Sequence, residues 1–597
     1  MNYALCLMNS PRLAVRIGVY LALMVLTLLP VEQRWSEADV ALAMALPVVL
    51  AIGIALRLFS RQQMRMSAVD ILVTVWIAYY IGRTWIGAEY PCRTEFLKTT
   101  MMFLLFAGLA ALGSEEFRVK SEESPSGFMS STFFSLFTIH FLLILLGCIE
   151  AIWGMWQLLT GSSRHGFYLM TGNFCNPGPY SAYLVLAAVI AIAEGRRTEN
   201  KFYKNFCHTA AVMCLMVLPA TWSRAAFVSL AVCLLCIYRK VYWRYRYVVG
   251  GTLIVLAVAF YYFKQGSADG RMVIWTAALT EWWHTAPWFG VGTGGFAHAF
   301  AEGMARLYAS NQNSILFANA GVTDNAFNTL LKILVEQGIV GATLCLMVAG
   351  CVMWRLHGVS RSLFYGMLSL LIFSMFSYPF DLLPYKVIAV GAATLGSKKR
   401  KVKSKKSPSG FMSSTYFSLL TIQFSLIILS LFVCREVMNS YEADKEYASF
   451  KGMHEEVFLQ DYYQLQTMEE DNAEFLFDFG MALRNQGRHN DSNDMLRRGT
   501  LVSADPMFFV VMGNNFKDMT LYNKAEECYD KAFHRMPNRL YPLYQKMQLF
   551  DQTGNRTKLI ETAQRITMLT PKVASPATDE IKQKAEHVLQ QHQKTCR

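Results

Sequence analysis

Apolar residues gather into long runs separated by short polar or basic connections, and many runs are long enough to cross a hydrocarbon core of about 30 Å as a helix. In order they predict thirteen spans, at about 13–30, 39–56, 69–86, 96–112, 132–158, 181–194, 207–222, 225–238, 247–263, 327–354, 362–378, 386–396 and 415–434. Almost nothing separates the pair around Trp222 to Ala225, which predicts a tight helical hairpin at one face of the membrane. After Cys434 the pattern turns to that of a soluble helical region rich in charge, Tyr, Met and Gln. The predicted fold class is all-α: a polytopic membrane domain of about twelve or thirteen helices, residues 1–434, followed by a helical repeat domain, residues 435–597.

Composition supports the membrane reading. Of the 597 residues 53% are apolar or aromatic and 17% charged, against roughly 25% charged in an average soluble domain, so a soluble globular protein is excluded. The net charge of +13 would by itself suggest nucleic acid, but its placement argues against that partner. The excess sits in alternate connections: Arg57, Arg61 and Arg65; Arg118 and Lys120; Arg196, Arg197, Lys201 and Lys204; Arg239, Lys240, Arg244 and Arg246; Arg355 and Arg361; and the dense linker 397–414, with Lys398 to Lys406. Basic loops stay cytoplasmic, so the N-terminus is expected inside, and the long 264–326 loop and the C-terminal domain outside. Arg12 and Arg16 precede a first run read as a retained span. The thirteen Cys lie mostly within apolar runs, where they act as small hydrophobes, and no metal site is predicted.

Two repeats stand out. Val119 to Leu146 recurs at Val402 to Leu429, sharing the polar stretch SPSGFMSST, and reads as a duplicated segment without an assigned activity. In the tail, Asn472 to Pro506, Met507 to Pro537 and Asn538 to Pro571 each read as helix, turn, helix and closing Pro at roughly 34-residue spacing. Small residues such as Gly480, Gly513, Ala525 and Ala532 suit close helix packing, and the array resembles tetratricopeptide repeats.

Ionisable residues near the outer half of a membrane domain are functional candidates. Arg224, in TWSRAAF, runs against the charge bias of the outer connections, although an Arg snorkelling to lipid phosphate would explain it too. Arg271 opens the long loop in GRMVIW, and Arg83 lies in YYIGRTW, within reach of a salt bridge to Glu89 or Glu95. In WFGVGTGGF, Gly290, Gly292, Gly294 and Gly295 allow either a backbone anion site or a plain glycine turn. Thr323, Asp324 and Asn325 read as an N-cap of the tenth span, with Gly338 and Gly341 as packing positions. His165, His284 and His298 are further outer-side candidates.

Taken in order, GNFCNPGPYSAYL, WSRAAF, GRMVIW, GVGTGGF and DNAFNTLLKILVEQGIVG resemble the O-antigen ligase superfamily, over about residues 130–395. That superfamily includes lipopolysaccharide O-antigen ligases, O-antigen polymerases and bacterial protein O-oligosaccharyltransferases. The resemblance implies a GT-C-like glycosyltransferase in a bacterial inner membrane. Its donor would be an undecaprenyl pyrophosphate-linked glycan, transferred to a lipid or protein acceptor hydroxyl at the periplasmic face, without a cofactor or metal. Arg224 and Arg271 align with the family's functional arginines, and guanidinium groups suit a pyrophosphate leaving group. Asp324 stands where ligases of the family carry His, and a carboxylate could take the acceptor proton if its pKa is raised. Arg83, Asn176, Gly292, Gly294 and Asn325 are the expected substrate-binding residues, and the tail is expected to recruit a protein partner. Polymerisation of repeat units is the alternative within the class. From other classes, a lipid-glycan transporter or a membrane-anchored repeat scaffold remains open.

Overall fold

The computed structural model describes residues 11–30, 34–60, 67–86, 92–112, 118–120, 128–163, 165–263, 265–311, 317–318, 320–396 and 414–595. Regular structure among them is helical apart from one antiparallel pair, Arg118–Lys120 (β1) with Phe128–Ser130 (β2), which lies in the first copy of the duplicated segment. Residues 402–413 of the second copy lie outside the described residues. Each predicted span coincides with a helix. They are α1 (Pro11–Leu26), α2 (Glu37–Ser60), α3 (Ala68–Trp85), α4 (Arg93–Leu112), α5 (Ser131–Thr160), α6 (Pro177–Arg197), α7 (Lys201–Val217), α8 (Arg224–Ile237) and α9 (Arg239–Phe263). After the long loop come α12 (Thr329–Val359), α13 (Arg361–Ser374), α14 (Leu383–Gly396) and α15 (Ser414–Phe450). Among the described residues, six of these carry segments long and apolar enough to cross a membrane, and four more carry shorter apolar stretches. The chain is therefore a multi-pass helical membrane protein.

The most enclosed of the six spans is α6, which packs against α5, α7, α8 and α13. Small residues let those helices approach: a Cβ on Gly147 of α5 would meet Ala187 Cβ at 2.2 Å, and one on Gly366 of α13 would meet Ile190 at 2.8 Å. Without a hydrophobic force between helices in lipid, such close contact is what holds them together. A second group packs α2 with α4 and α15, and α12 with α3, α13 and α14. Large apolar side chains such as Val75, Leu346 and Trp354 point outward, as a lipid-facing surface requires.

Three expectations shift. The predicted hairpin at Trp222 is a short 3-10 turn, Leu218–Thr221, and α7 and α8 then diverge, α8 packing on α6 and α13. The basic stretch before the ninth span continues into α9 across a kink at Tyr245. Helix α15 runs through Cys434 without a break to Phe450, because a helix satisfies its own backbone and need not end where the apolar pattern ends.

Beyond it, α16 (Leu459–Leu465) leads into three helix pairs, α17 (Ala473–Asn485) with α18 (His489–Val502), α19 (Met507–Asp518) with α20 (Tyr522–Arg535), and α21 (Leu540–Thr553) with α22 (Arg556–Met568). Helix α23 (Pro576–Thr595) closes the stack. The predicted small positions lie at helix crossings: a Cβ on Gly480 would meet Leu496 at 2.8 Å, and one on Gly513 would meet Tyr529 at 2.5 Å.

This stack is anchored to the connections preceding α2 and α4. Arg34 bridges Asp444, Glu469 and Asp471, with 2.7 Å to Asp471, while Arg93 pairs with Glu436. Asp471 also accepts from the Thr94 N–H at 2.6 Å. Burial raises the Glu469 carboxyl to about 7, against the pull of Arg34 and helped by Asp444, and its Oε1 is buried without a hydrogen-bond partner. A carboxyl raised in the folded state favours folding while it holds its proton and loses that contribution as pH rises from about 4 through about 7. Glu469→Gln should therefore leave thermal stability unchanged at pH 5 and raise it at pH 8, by about 2–4 °C per kcal/mol relieved. Arg34→Ala should destabilise docking at both pH values, since it leaves buried carboxylates uncompensated. Thermal unfolding of the purified protein at the two pH values checks both outcomes.

Candidate functional site

The long loop begins with two helices, α10 (Gln265–Thr285) and α11 (Phe296–Ser310), packed tightly enough that a Cβ on Gly303 would lie 2.0 Å from the Ala277 carbonyl oxygen. Between them the glycine turn meets the N-terminal part of α12, which is broken at Gly338 (φ 67°, ψ −171°). The break frees backbone groups, and the turn takes them up. Val291 N–H donates to Val335 O at 3.0 Å and Gly292 N–H to Glu336 O at 2.9 Å, while Ile339 and Val340 N–H donate to Pro287 O and Trp288 O at 3.0 and 3.2 Å. Tyr79 OH donates to Gln337 O at 2.7 Å. Two glycines make this approach possible: a Cβ on Gly290 would lie 2.3 Å from the Glu336 carbonyl carbon, and one on Gly338 would lie 2.2 Å from Trp288 O.

This geometry places several predicted substrate-binding residues in structural roles. The N–H groups of Gly292 and Gly294 are engaged by Glu336, through its backbone oxygen and its side chain respectively, so the turn is not an open anion site. Arg83 donates to the carbonyls of Gly290, at 2.8 Å, and Ile86, so it ties α3 to the same turn. Asn176 caps α6, accepting from Gly178 N–H at 2.8 Å. Asn325 sits in a turn closed by Thr323 Oγ1 at 3.1 Å. The N-cap of α12 is Asn328, three residues beyond the end of the predicted Thr323–Asn325 cap, so helix capping does not account for Asp324.

Arg224 and Arg271 are brought together. Arg271 is pushed below its usual range by burial and by the charge of Arg224, with a smaller opposing effect from Tyr378. Its guanidinium lies 5.4 Å from the centre of the Phe327 ring, which packs edge-on to Tyr378 at 5.7 Å. Trp275 Nε1 fixes the backbone beside Phe327 through Ala326 O at 2.8 Å. Burial, and then Asp381, raise the Tyr378 hydroxyl to about 12, so it remains a neutral donor. Two of the non-glycine residues with positive φ, Trp222 (51°) and Phe327 (49°), flank this site. Strained backbone of this kind persists only where its surroundings hold it.

Asp324 faces elsewhere. Its carboxyl is raised by desolvation, opposed by a hydrogen bond from the Ala504 backbone and reinforced by Asp505, both in the C-terminal domain. The arginine pair is not among the groups that shift it. That domain covers much of the loop: Asn538 Nδ2 donates to Phe317 O and Ala320 O, both at 2.9 Å, and Arg535 pairs with Glu302. His298 Nδ1 meets Thr500 O at 2.9 Å, so this histidine is used at the interface. His165 accepts from Phe167 N–H and stacks near Tyr168, and His284 lies in the last turn of α10. Phe327 and Tyr378 were not anticipated, because isolated aromatics between spans carry no periodic signal. Cys92 and Cys175 are not joined in a disulfide, and the Cys92 thiol donates to Asp471 at 3.4 Å. Cys233 and Cys236 share a Cys-x-x-Cys spacing inside α8, where Cys233 Sγ meets Tyr365 O at 3.6 Å as a packing contact.

The site is thus part of a multi-pass helical bundle in which two cations lie within electrostatic reach of each other beside a folded loop. Residues 209–346, from α7 into α12, match the family model Wzy_C, O-antigen ligase, and this supports placing the chain in the O-antigen ligase superfamily. The match includes Arg224, Arg271, Gly292, Gly294, Asp324 and Asn325 and leaves Arg83 and Asn176 outside. It supports glycosyl transfer of the ligase or polymerase type. No curated protein matches the chain.

Gly338→Ala tests the clasp. It places a side chain at positive φ and against the Trp288 carbonyl, so it should cost at least about 1–3 kcal/mol of local stability. Hydrogen exchange of residues 286–293 and 335–341 should accelerate well above that of α6.

Proposed function

We propose that the protein transfers a glycan from an undecaprenyl pyrophosphate carrier to an acceptor hydroxyl at the periplasmic face of a bacterial inner membrane, as an O-antigen ligase or protein O-oligosaccharyltransferase. The observation that carries this reading is the proximity of Arg224 to Arg271, whose mutual repulsion a bound anion would relieve. As the glycosidic bond to the carrier breaks, negative charge builds on the departing pyrophosphate. Two guanidinium groups stabilise that charge by short, charge-assisted hydrogen bonds and keep their own charge beside lipid. Phe327 and Tyr378 line the Arg271 side, where Tyr378 can donate to a further oxygen.

Asp324 is assigned to the acceptor. A carboxyl raised by its surroundings is a better proton acceptor from a hydroxyl, and its position against Ala504 and Asp505 favours an acceptor approaching along the C-terminal domain. That domain shares a buried core with the loop, through Phe317, Ala320, Phe533 and Leu540 among others. This supports the same side of the membrane for both, and it favours a built-in wall of the site over a detached scaffold.

Arg224→Ala and Arg271→Ala should each lower product formation by about 10²–10³-fold with normal membrane insertion. Arg271→Lys should recover only part of this, because an ammonium cannot form the bidentate contact. Glycan profiles of cells carrying each variant check this. Full-length carrier-linked glycan accumulating beside bare acceptor identifies a ligase or oligosaccharyltransferase. Single repeat units attached without long chains identify a polymerase. Unchanged profiles overturn the proposal.

A further inference from the structure

A cavity of about 270 Å³ lies between α3, α4, α12 and α14, separate from the arginine pair. Its deep wall is apolar, with Val73, Met102, Phe106, Val352, Val390 and Ala393. At its other end, beside the first turns of α4, α12 and α14, stand Glu95, Lys332, Glu336, Asp381 and Lys386. A smaller adjoining recess adds Asp39 and Lys98. Such a shape, charged at one end and apolar along its length, matches the form of a membrane amphiphile.

The existing contacts say which head group fits. Lys332 pairs with Asp381 at 3.2 Å, Lys98 donates to Arg34 O, Asp39 accepts from Ser36, and Tyr80 OH donates to Glu95 at 3.5 Å. Two charged groups lining the cavity are left with unused capacity. Glu336 is buried to 2% exposure, and its Oε1 has no hydrogen-bond partner. The Lys386 ammonium acts on Glu95 through space, but among the described residues no carboxylate oxygen stands within 4.0 Å of it. Thr329 Oγ1 is likewise buried without a partner and lines the same space. A carboxylate oxygen and an ammonium facing one cavity call for a ligand that carries both signs. A purely anionic head group would satisfy Lys386 and leave Glu336 Oε1 without a donor, at the cost that attends any buried unsatisfied polar atom.

We infer that this cavity binds a zwitterionic ethanolamine phospholipid, with its phosphate on Lys386, its ammonium on Glu336 and one acyl chain along the apolar wall. The volume suits the head group and the upper part of one chain, near the lower end of ordinary ligand pockets. The site adjoins the arginine pair through a single turn: Tyr378 faces Arg271, while Phe380 and Asp381 line the cavity. A bound lipid would thus support the wall that carries Tyr378.

The test is native mass spectrometry of the full chain released from nanodiscs made of equal parts phosphatidylethanolamine, phosphatidylglycerol and phosphatidylcholine. One retained ethanolamine lipid per chain is expected, with Lys386→Met and Glu336→Gln each reducing retention about tenfold, as loss of one charge-assisted contact implies. Ala393→Phe, which fills the apolar end and keeps every charge, should also expel the lipid and covers the case in which a charge variant fails to fold. Retention in proportion to the nanodisc mixture, or equal retention of phosphatidylglycerol, overturns the proposal, as does full competition by inorganic phosphate. The readout is lipid rather than glycan, so it fails or succeeds independently of the proposed reaction.

Discussion

A membrane helix cannot be broken in lipid unless every freed backbone group finds another partner. Helix α12 is broken at Gly338, and the partners come from the turn at 286–292 and from Tyr79. Much else follows from that exchange. It seats the long loop on the membrane domain and orients α10, which carries Arg271. It also directs Glu336 into the cavity between α3, α4, α12 and α14. The glycines are needed because the two backbones touch, and no side chain fits between them.

The C-terminal helices are as much a part of this arrangement as the membrane helices. Phe317 and Ala320 of the loop share one core with Phe533, Met536, Leu543 and Ile566. On the other flank, Arg34 gathers three carboxylates from α15 and the segment before α17. A helical repeat face that is free in many arrays is here covered by α11, which packs on α18 and α20. That face is therefore taken up within the chain, and the stretch of the domain beside Asp324 is the one at Ala504.

Legibility followed the range of each signal. Span positions were readable because twenty apolar residues in a row leave few alternatives, and the helix pairs of the tail were readable because Gly480 and Gly513 recur at a fixed spacing. Arg224 and Arg271 stood out as charges at the edge of lipid. What escaped was set by distant partners. The Gly292 and Gly294 N–H groups looked available until α12 was found to use them, and Asp324 looked like a helix cap until Asn328 proved to hold that position. Phe327, held at φ 49° beneath Arg271, has no sequence signature, since its conformation is imposed by Tyr378 and Trp275 around it.

The contact between Thr500, Ala504 and the loop that holds Asp324 joins segments made at very different times during translation. A ribosome that has finished α14 has already released both arginines, yet the surface that shapes the surroundings of Asp324 is still unmade. The last third of the polypeptide thus acts as a timing device. Until it has emerged and docked on Arg34 and α11, Asp324 lacks the neighbours at Ala504 and Asp505 that set its surroundings, so the order of synthesis leaves this part of the loop to be completed last.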